Sequence, residues 1–133
     1  IFGDEARVFT FSMHCEKNFP FIKQKSDSDV SLPVGTPDAA YLGTLKNHLN
    51  KLLDEVRPDL VFYDAGVDPH RNDALGKLSL TDAGLFERDK FVIQSCVDRK
   101  IPIATVIGGG YDKNRRELAY RHSFVVRAAL AMQ

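Results

Sequence analysis

Two short motifs in this chain have the residue types of a hydrolytic site: Tyr63-Asp64-Ala65-Gly66-Val67-Asp68 and Gly108-Gly109-Gly110-Tyr111. Each ends an apolar, β-branched run, Leu60-Val61-Phe62 before the first and Ile103 to Ile107 before the second. In a parallel α/β sheet, ligands bind in the crevice beyond the carboxyl ends of the strands. At that edge the first motif offers a carboxylate, and the second offers a phenol on a loop with little side-chain bulk. A carboxylate oxygen can hold zinc at about 2.0–2.2 Å. A phenolic donor can stabilise an oxyanion, an effect worth about 10²–10³ in rate. Asp68 is therefore the candidate metal ligand and Tyr111 the candidate donor. Both residue types also have plainer uses: a loop aspartate caps a helix or shapes a turn, and a tyrosine packs over a helix start.

The surrounding residues sharpen one reading and weaken another. Asp68-Pro69-His70-Arg71-Asn72-Asp73 gathers metal-binding side chains, but not at the helical spacing of a ligand pair, and His70 reads as a residue on the rim of the site. Glycines before a helix N-terminus can cradle an anion. The run at Gly108 is neither GxGxxG nor a GK[ST] loop, and the tyrosine directly after it favours a flexible backbone that places one donor in a cleft.

The elements that must position these residues follow from hydrophobic spacing. Val8 to Ser12 is short and β-rich, as a buried strand should be. Met13 to Gly35 reads as one long irregular stretch carrying Phe19 and Phe21. Such segments are uncommon in compact domains and often functional, so these two aromatics either wall a pocket or pin the loop to the core. Thr36-Pro37-Asp38 has the order of an N-cap, a first-turn proline and a first-turn acid. Leu42, Leu45, Leu49, Leu52, Leu53 and Val56 then form one apolar helical stripe, stopped by Pro58. Strand Leu60 to Tyr63, a helix over about Ala83 to Lys100, strand Ile103 to Ile107 and a helix from about Arg115 to Ala131 complete the order. Alternating strands and helices predict an α/β fold, a three-layer parallel sheet with helices on both faces.

Bulk properties exclude several classes. With 133 residues the chain is within single-domain size. Its 18 basic and 18 acidic side chains cancel, which argues against broad electrostatic capture of nucleic acid. No apolar run approaches the roughly 20 residues that span a bilayer. Two isolated cysteines, Cys15 and Cys96, form no disulfide framework, so the cytoplasm is the expected location. Ile, not Met, stands first, and the following residues lack signal-peptide character. The expectation is a chain that begins inside a domain, with an open sheet edge through which it pairs with a second copy.

Four segments, in order, resemble the carboxyl-terminal half of the zinc-dependent histone deacetylase superfamily. They are Phe11-Ser12-Met13-His14, Tyr63 to Asp68, Asp73-Ala74-Leu75-Gly76-Lys77-Leu78-Ser79-Leu80-Thr81, and Gly108 to Tyr111. The Leu-Gly-x-Leu-Ser register is most similar to the class IV branch and its bacterial relatives. The resemblance implies an arginase/deacetylase-like fold, residues 1–133 being one portion of the domain, and hydrolysis of acetyl-lysine or a related acylated amine. It implies that Asp68 is a Zn2+ ligand and Tyr111 the catalytic donor to the substrate carbonyl. It places Gly109, Gly110, Phe19 and Phe21 along the substrate tunnel, and Ser12 and Met13 at a structural K+ site. Asp73 matches a second acid of the family. The family's Asp-x-His segment and paired histidines have no counterpart among His14, His48, His70 and His122. One ligand does not hold catalytic zinc, which normally takes three, so the isolated chain is expected to be inactive, with a non-catalytic interaction module as the competing reading.

Overall fold

A computed structural model describes residues 2–132. Its elements are β1 (Phe11–Cys15), β2 (Ser28–Leu32), α1 (Asp38–Val56), β3 (Val61–Asp64), α2 (Asp82–Asp98), β4 (Ile103–Val106) and α3 (Arg115–Leu130). The class is α/β, as expected, and both strand pairs are parallel: β1 with β2, and β3 with β4. A single parallel bridge from Pro37 to Ser79 stitches the segment after β2 to the connection between β3 and α2, and a second, His70 to Leu80, closes that connection on itself.

Three expectations need correction. The first strand is Phe11–Cys15, not Val8 to Ser12. The backbone of Val8 closes a turn onto Glu5, and the Asp27 carboxylate takes both the N–H and the hydroxyl of Thr10 at 2.7 Å. Second, the stretch from Met13 to Gly35 is not irregular throughout, because it contains β2. Ser28-Asp29-Val30-Ser31-Leu32 alternates, with Leu32 buried and Asp29 and Ser31 exposed, and its polar half disguises the strand. Third, Thr36 does not cap α1. Its hydroxyl donates to the Pro33 carbonyl at 2.7 Å, and Pro37 occupies the cap position without a side-chain bond.

Asp38 serves a different helix. Its carboxylate accepts from the Thr81 N–H at 2.8 Å and the Thr81 hydroxyl at 2.6 Å, while Thr81 itself caps α2 through Gly84 N–H at 3.0 Å. The starts of α1 and α2 are thus joined side chain to side chain. Helix α2 lies against both α1 and α3. Tyr41, Leu45, Leu49 and Leu53 of α1 are buried with Leu85, Val92 and Cys96 of α2 and Phe124 of α3, and Val61, Tyr63 and Ile103 pack against this core. The opposite face of β3 is open: Phe62 is 75% exposed. Cys15 and Cys96 are both buried and free. Among the described residues no helix is long and apolar enough to cross a membrane.

Candidate active site

Parallel pairing puts Asp64 beside Val106 at the carboxyl ends of β3 and β4, so the two motifs leave the sheet as neighbours. Backbone bonds continue the pairing beyond the strands: Ala65 N–H donates to Val106 at 3.0 Å and Val67 N–H to Gly109 at 2.6 Å. The Asp68 carboxylate then lies against two glycines. A Cβ on Gly66 or on Gly109 would fall 2.8 Å from Asp68 Oδ1, so both positions need the missing side chain for the close approach.

Burial raises the Asp68 pKa, and the neighbouring Asp73 and Asp64 charges push the same way, against Arg88 and the residue's own backbone N–H. A half-buried carboxylate among other carboxylates is a place where a cation lowers the energy, so Asp68 suits a metal ligand. Among the described residues there is no group of three His, Cys, Asp or Glu side chains able to hold a metal ion. The same acidic surroundings disfavour an anion cradle at Gly108–Gly110. The glycines also stand apart from the N-terminus of α3, whose cap is Asn114.

Tyr111 is 56% exposed, and its backbone is fixed on both sides. Its N–H donates to Asp73 Oδ2 at 2.6 Å, and its carbonyl accepts from Ala74 N–H at 2.8 Å. Gly110 packs closely beneath it: a Cβ there would meet Val67 Cγ2 at 2.6 Å and His122 Nε2 at 3.2 Å. The structure thus brings Asp68, Gly109, Gly110 and Tyr111 into one cluster, with Asp73 between the loops.

The remaining sequence-derived residues lie elsewhere. Ser12 and Met13 are on β1, in the other strand pair, where Ser12 Oγ shares a hydrogen bond of 2.9 Å with His14 Nδ1. Phe19 and Phe21 are 86% and 82% exposed and meet edge to face with centroids 6.4 Å apart. They do not pin their loop to the core. That loop is shaped by Lys23, whose ammonium donates to the Pro20 carbonyl at 2.7 Å and also to that of Asn18. Lys77 ties it to the Asp73 segment by donating to the Lys17 carbonyl at 2.8 Å.

His70 is not a rim residue; it is only 4% exposed. Its Nδ1 accepts from Asn72 N–H at 3.1 Å, which leaves Nε2 to donate toward Asp82 at 3.2 Å. Burial and the adjacent Arg121 lower its pKa. Arg121 is likewise buried, between Asp82 at 3.3 Å and Asp112 at 2.5 Å, and joins α3 to the start of α2.

Sequence reasoning missed a second buried network directly behind Asp68. Arg88 Nη1 donates to the Gly66 carbonyl at 2.7 Å, and its Nε donates to Asp89 Oδ1 at 2.9 Å. The Tyr63 hydroxyl donates to that same oxygen at 2.6 Å. Burial pushes the Tyr63 pKa well above its ordinary value, so this phenol stays a donor. The available signal was an arginine at the helical position where an apolar residue was due: Arg88 between Leu85 and Val92, and Arg121 between Leu118 and Phe124.

The chain as a whole is similar to known proteins. Residues 1–127 match the family described as the histone deacetylase domain. An uncharacterised protein of Picosynechococcus sp. is 57% identical over 97% of this chain and 43% of its own length. Histone deacetylase 2 of Arabidopsis thaliana is 31% identical over 84% of this chain and 30% of its own. The acetylpolyamine aminohydrolase from Burkholderia pseudomallei superposes with a TM-score of 0.74 at 21% identity, over 92% of this chain and 38% of that one. The chain spans less than half the length of each of these proteins, and its fold is that of the arginase/deacetylase group. On the match over residues 1–127, the chain belongs to the histone deacetylase family.

Proposed function

We propose that this chain contributes part of the active site of a metal-dependent hydrolase that cleaves the amide of acetyl-lysine or a related acylated amine. The observation that carries this reading is the joining of the Asp68 and Tyr111 loops beyond β3 and β4 by the Val67–Gly109 and Ala74–Tyr111 backbone bonds. Zn2+, when bound, polarises a carbonyl and lowers the pKa of water. Asp68 supplies one oxygen donor to it, and a zinc site normally takes three protein ligands, so the other donors come from parts of the protein outside these 133 residues. The Tyr111 hydroxyl donates to the substrate carbonyl oxygen as negative charge develops there. Gly109 and Gly110 offer backbone without side-chain bulk along the path of the acylated chain, and Phe19 and Phe21 line its approach. Ser12 Oγ and the Met13 carbonyl are the proposed donors to a structural K+. The reaction takes place in the cytoplasm.

The test is deacylation of an acetyl-lysine peptide by the whole protein, with and without a chelator. Tyr111→Phe is expected to lower kcat by about 10²–10³ with KM little changed, and the isolated chain is expected to be inactive. An unaltered kcat in the variant, or full activity in chelator, would sink the reading.

The open β3 face favours a second reading, a non-catalytic module that binds another copy of the chain. Phe62, Val106 and Ile107 are 75%, 49% and 68% exposed, and exposed apolar clusters mark interaction surfaces.

A further inference from the structure

We infer that Asp73 is the positioning residue that sets the place of Tyr111 relative to Asp68. The inference rests on the proposed role of Tyr111 as oxyanion donor. Tyr111 follows three glycines, which hold no conformation of their own and lose the most freedom on ordering. A donor at the end of such a loop needs a fixed point outside it. Asp73 supplies that point with both carboxylate oxygens. Oδ2 accepts the Tyr111 N–H at 2.6 Å, and Oδ1 accepts the N–H groups of Leu75 at 2.9 Å and Gly76 at 2.6 Å. Bonds to an ionised acceptor are the shorter and stronger class.

The arrangement is reciprocal, because the next residue, Ala74, donates its N–H to the Tyr111 carbonyl at 2.8 Å. On its other side the Asp73 segment is folded onto the Asp68 backbone: a Cβ on Gly76 would collide with the Asp68 carbonyl and lie 3.2 Å from Asp73 Oδ1. Asp73 N–H also donates to the His70 carbonyl at 2.9 Å, within the buried His70 turn. One carboxylate therefore links the loop of the metal ligand to the loop of the donor. Asp73 touches no reacting atom in this scheme; its positioning effect passes through Tyr111, and the Tyr111→Phe background separates that effect from the action of its charge on Asp68.

Asp73→Asn separates the two functions of the carboxylate. The amide oxygen can still accept from Leu75 and Gly76, while the amide NH2 then faces the Tyr111 N–H and loses that bond. In the whole, metal-loaded protein, this variant is expected to lower kcat by about 10- to 100-fold with KM within about 3-fold, as small misplacements of reacting groups do. In a Tyr111→Phe background the same change is expected to cost less than about 2-fold, since two residues acting as one unit are not additive. An equal loss in both backgrounds would overturn the inference. Hydrogen exchange at the Tyr111 amide decides it without any activity. Protection in the unmodified protein, lost in Asp73→Asn, is expected, whereas an unprotected Tyr111 amide in the unmodified protein removes the link. If the whole protein deacylates nothing, the functional reading fails and the exchange result still stands for or against the clamp.

Discussion

Placing a carboxylate among other carboxylates costs folding energy, and Asp68 occupies such a position, with burial, Asp73 and Asp64 all raising its pKa. Its partial compensation is Arg88, which acts at a distance rather than through a direct bond to Asp68. In the metal-free protein at pH 7, Asp68→Asn removes the charge and keeps the shape, so its Tm is expected to rise, on the order of a few degrees. With metal bound the order should reverse, because the cation then stabilises only the carboxylate form. Differential scanning calorimetry with and without chelator reads both signs. A lower Tm for the variant under both conditions would show that Asp68 is a structural acid rather than a reserved ligand.

Helix α2 stands behind the site, and its buried Arg88–Asp89 pair carries the Gly66 carbonyl. Arg88 is 4% exposed and Asp89 1%, so Arg88→Met leaves a buried carboxylate with Tyr63 as its remaining side-chain donor. The expected loss is about 3–5 kcal/mol in urea unfolding, and a loss below about 1 kcal/mol would mean that water already reaches the pair. Helix α3 is attached differently, through Arg121 to Asp82 and Asp112. The Arg121 guanidinium holds the Asp112 carboxyl below its usual pKa. A carboxyl depressed in the folded state contributes stability above its unfolded pKa of about 3.9 and loses it as pH falls through the depressed value. Asp112→Asn should therefore lower Tm at pH 7 and make no difference in strong acid, which melting curves across that range would reveal. All three helices were legible in the sequence, the first as an apolar stripe although its expected Thr36 cap is not formed, and Asp68 and Tyr111 were legible as strand-end residues. Arg88, Arg121 and strand β2 were not. A charge inside a stripe reads as an interruption until its partner is found in space, and Ser28-Asp29 reads as a turn until Val30 and Leu32 are seen to face inward. The link from Asp73 to Tyr111 spans 38 residues and exists only once the loops have folded.

Across the whole molecule the two parallel pairs share one core but carry no strand between them among the described residues. The Phe62 face of β3 is open to solvent. The 133-residue chain is expected to self-associate and bind an apolar dye, and Phe62→Lys to weaken both, as light scattering after size-exclusion chromatography would show. A monomer with no dye binding would rule out a pairing surface there. The aromatic loop has a further consequence. Its form comes chiefly from its own Lys23 and from β-strand neighbours, with Lys77 as its tether to the Asp73 segment. Substitutions at Phe19, Phe21 or Ile22 can therefore accumulate without moving Asp68 or Tyr111. Under the proposed reading, in which Phe19 and Phe21 line the substrate's approach, selectivity can drift across generations while the chemistry at Asp68 and Tyr111 stays constant.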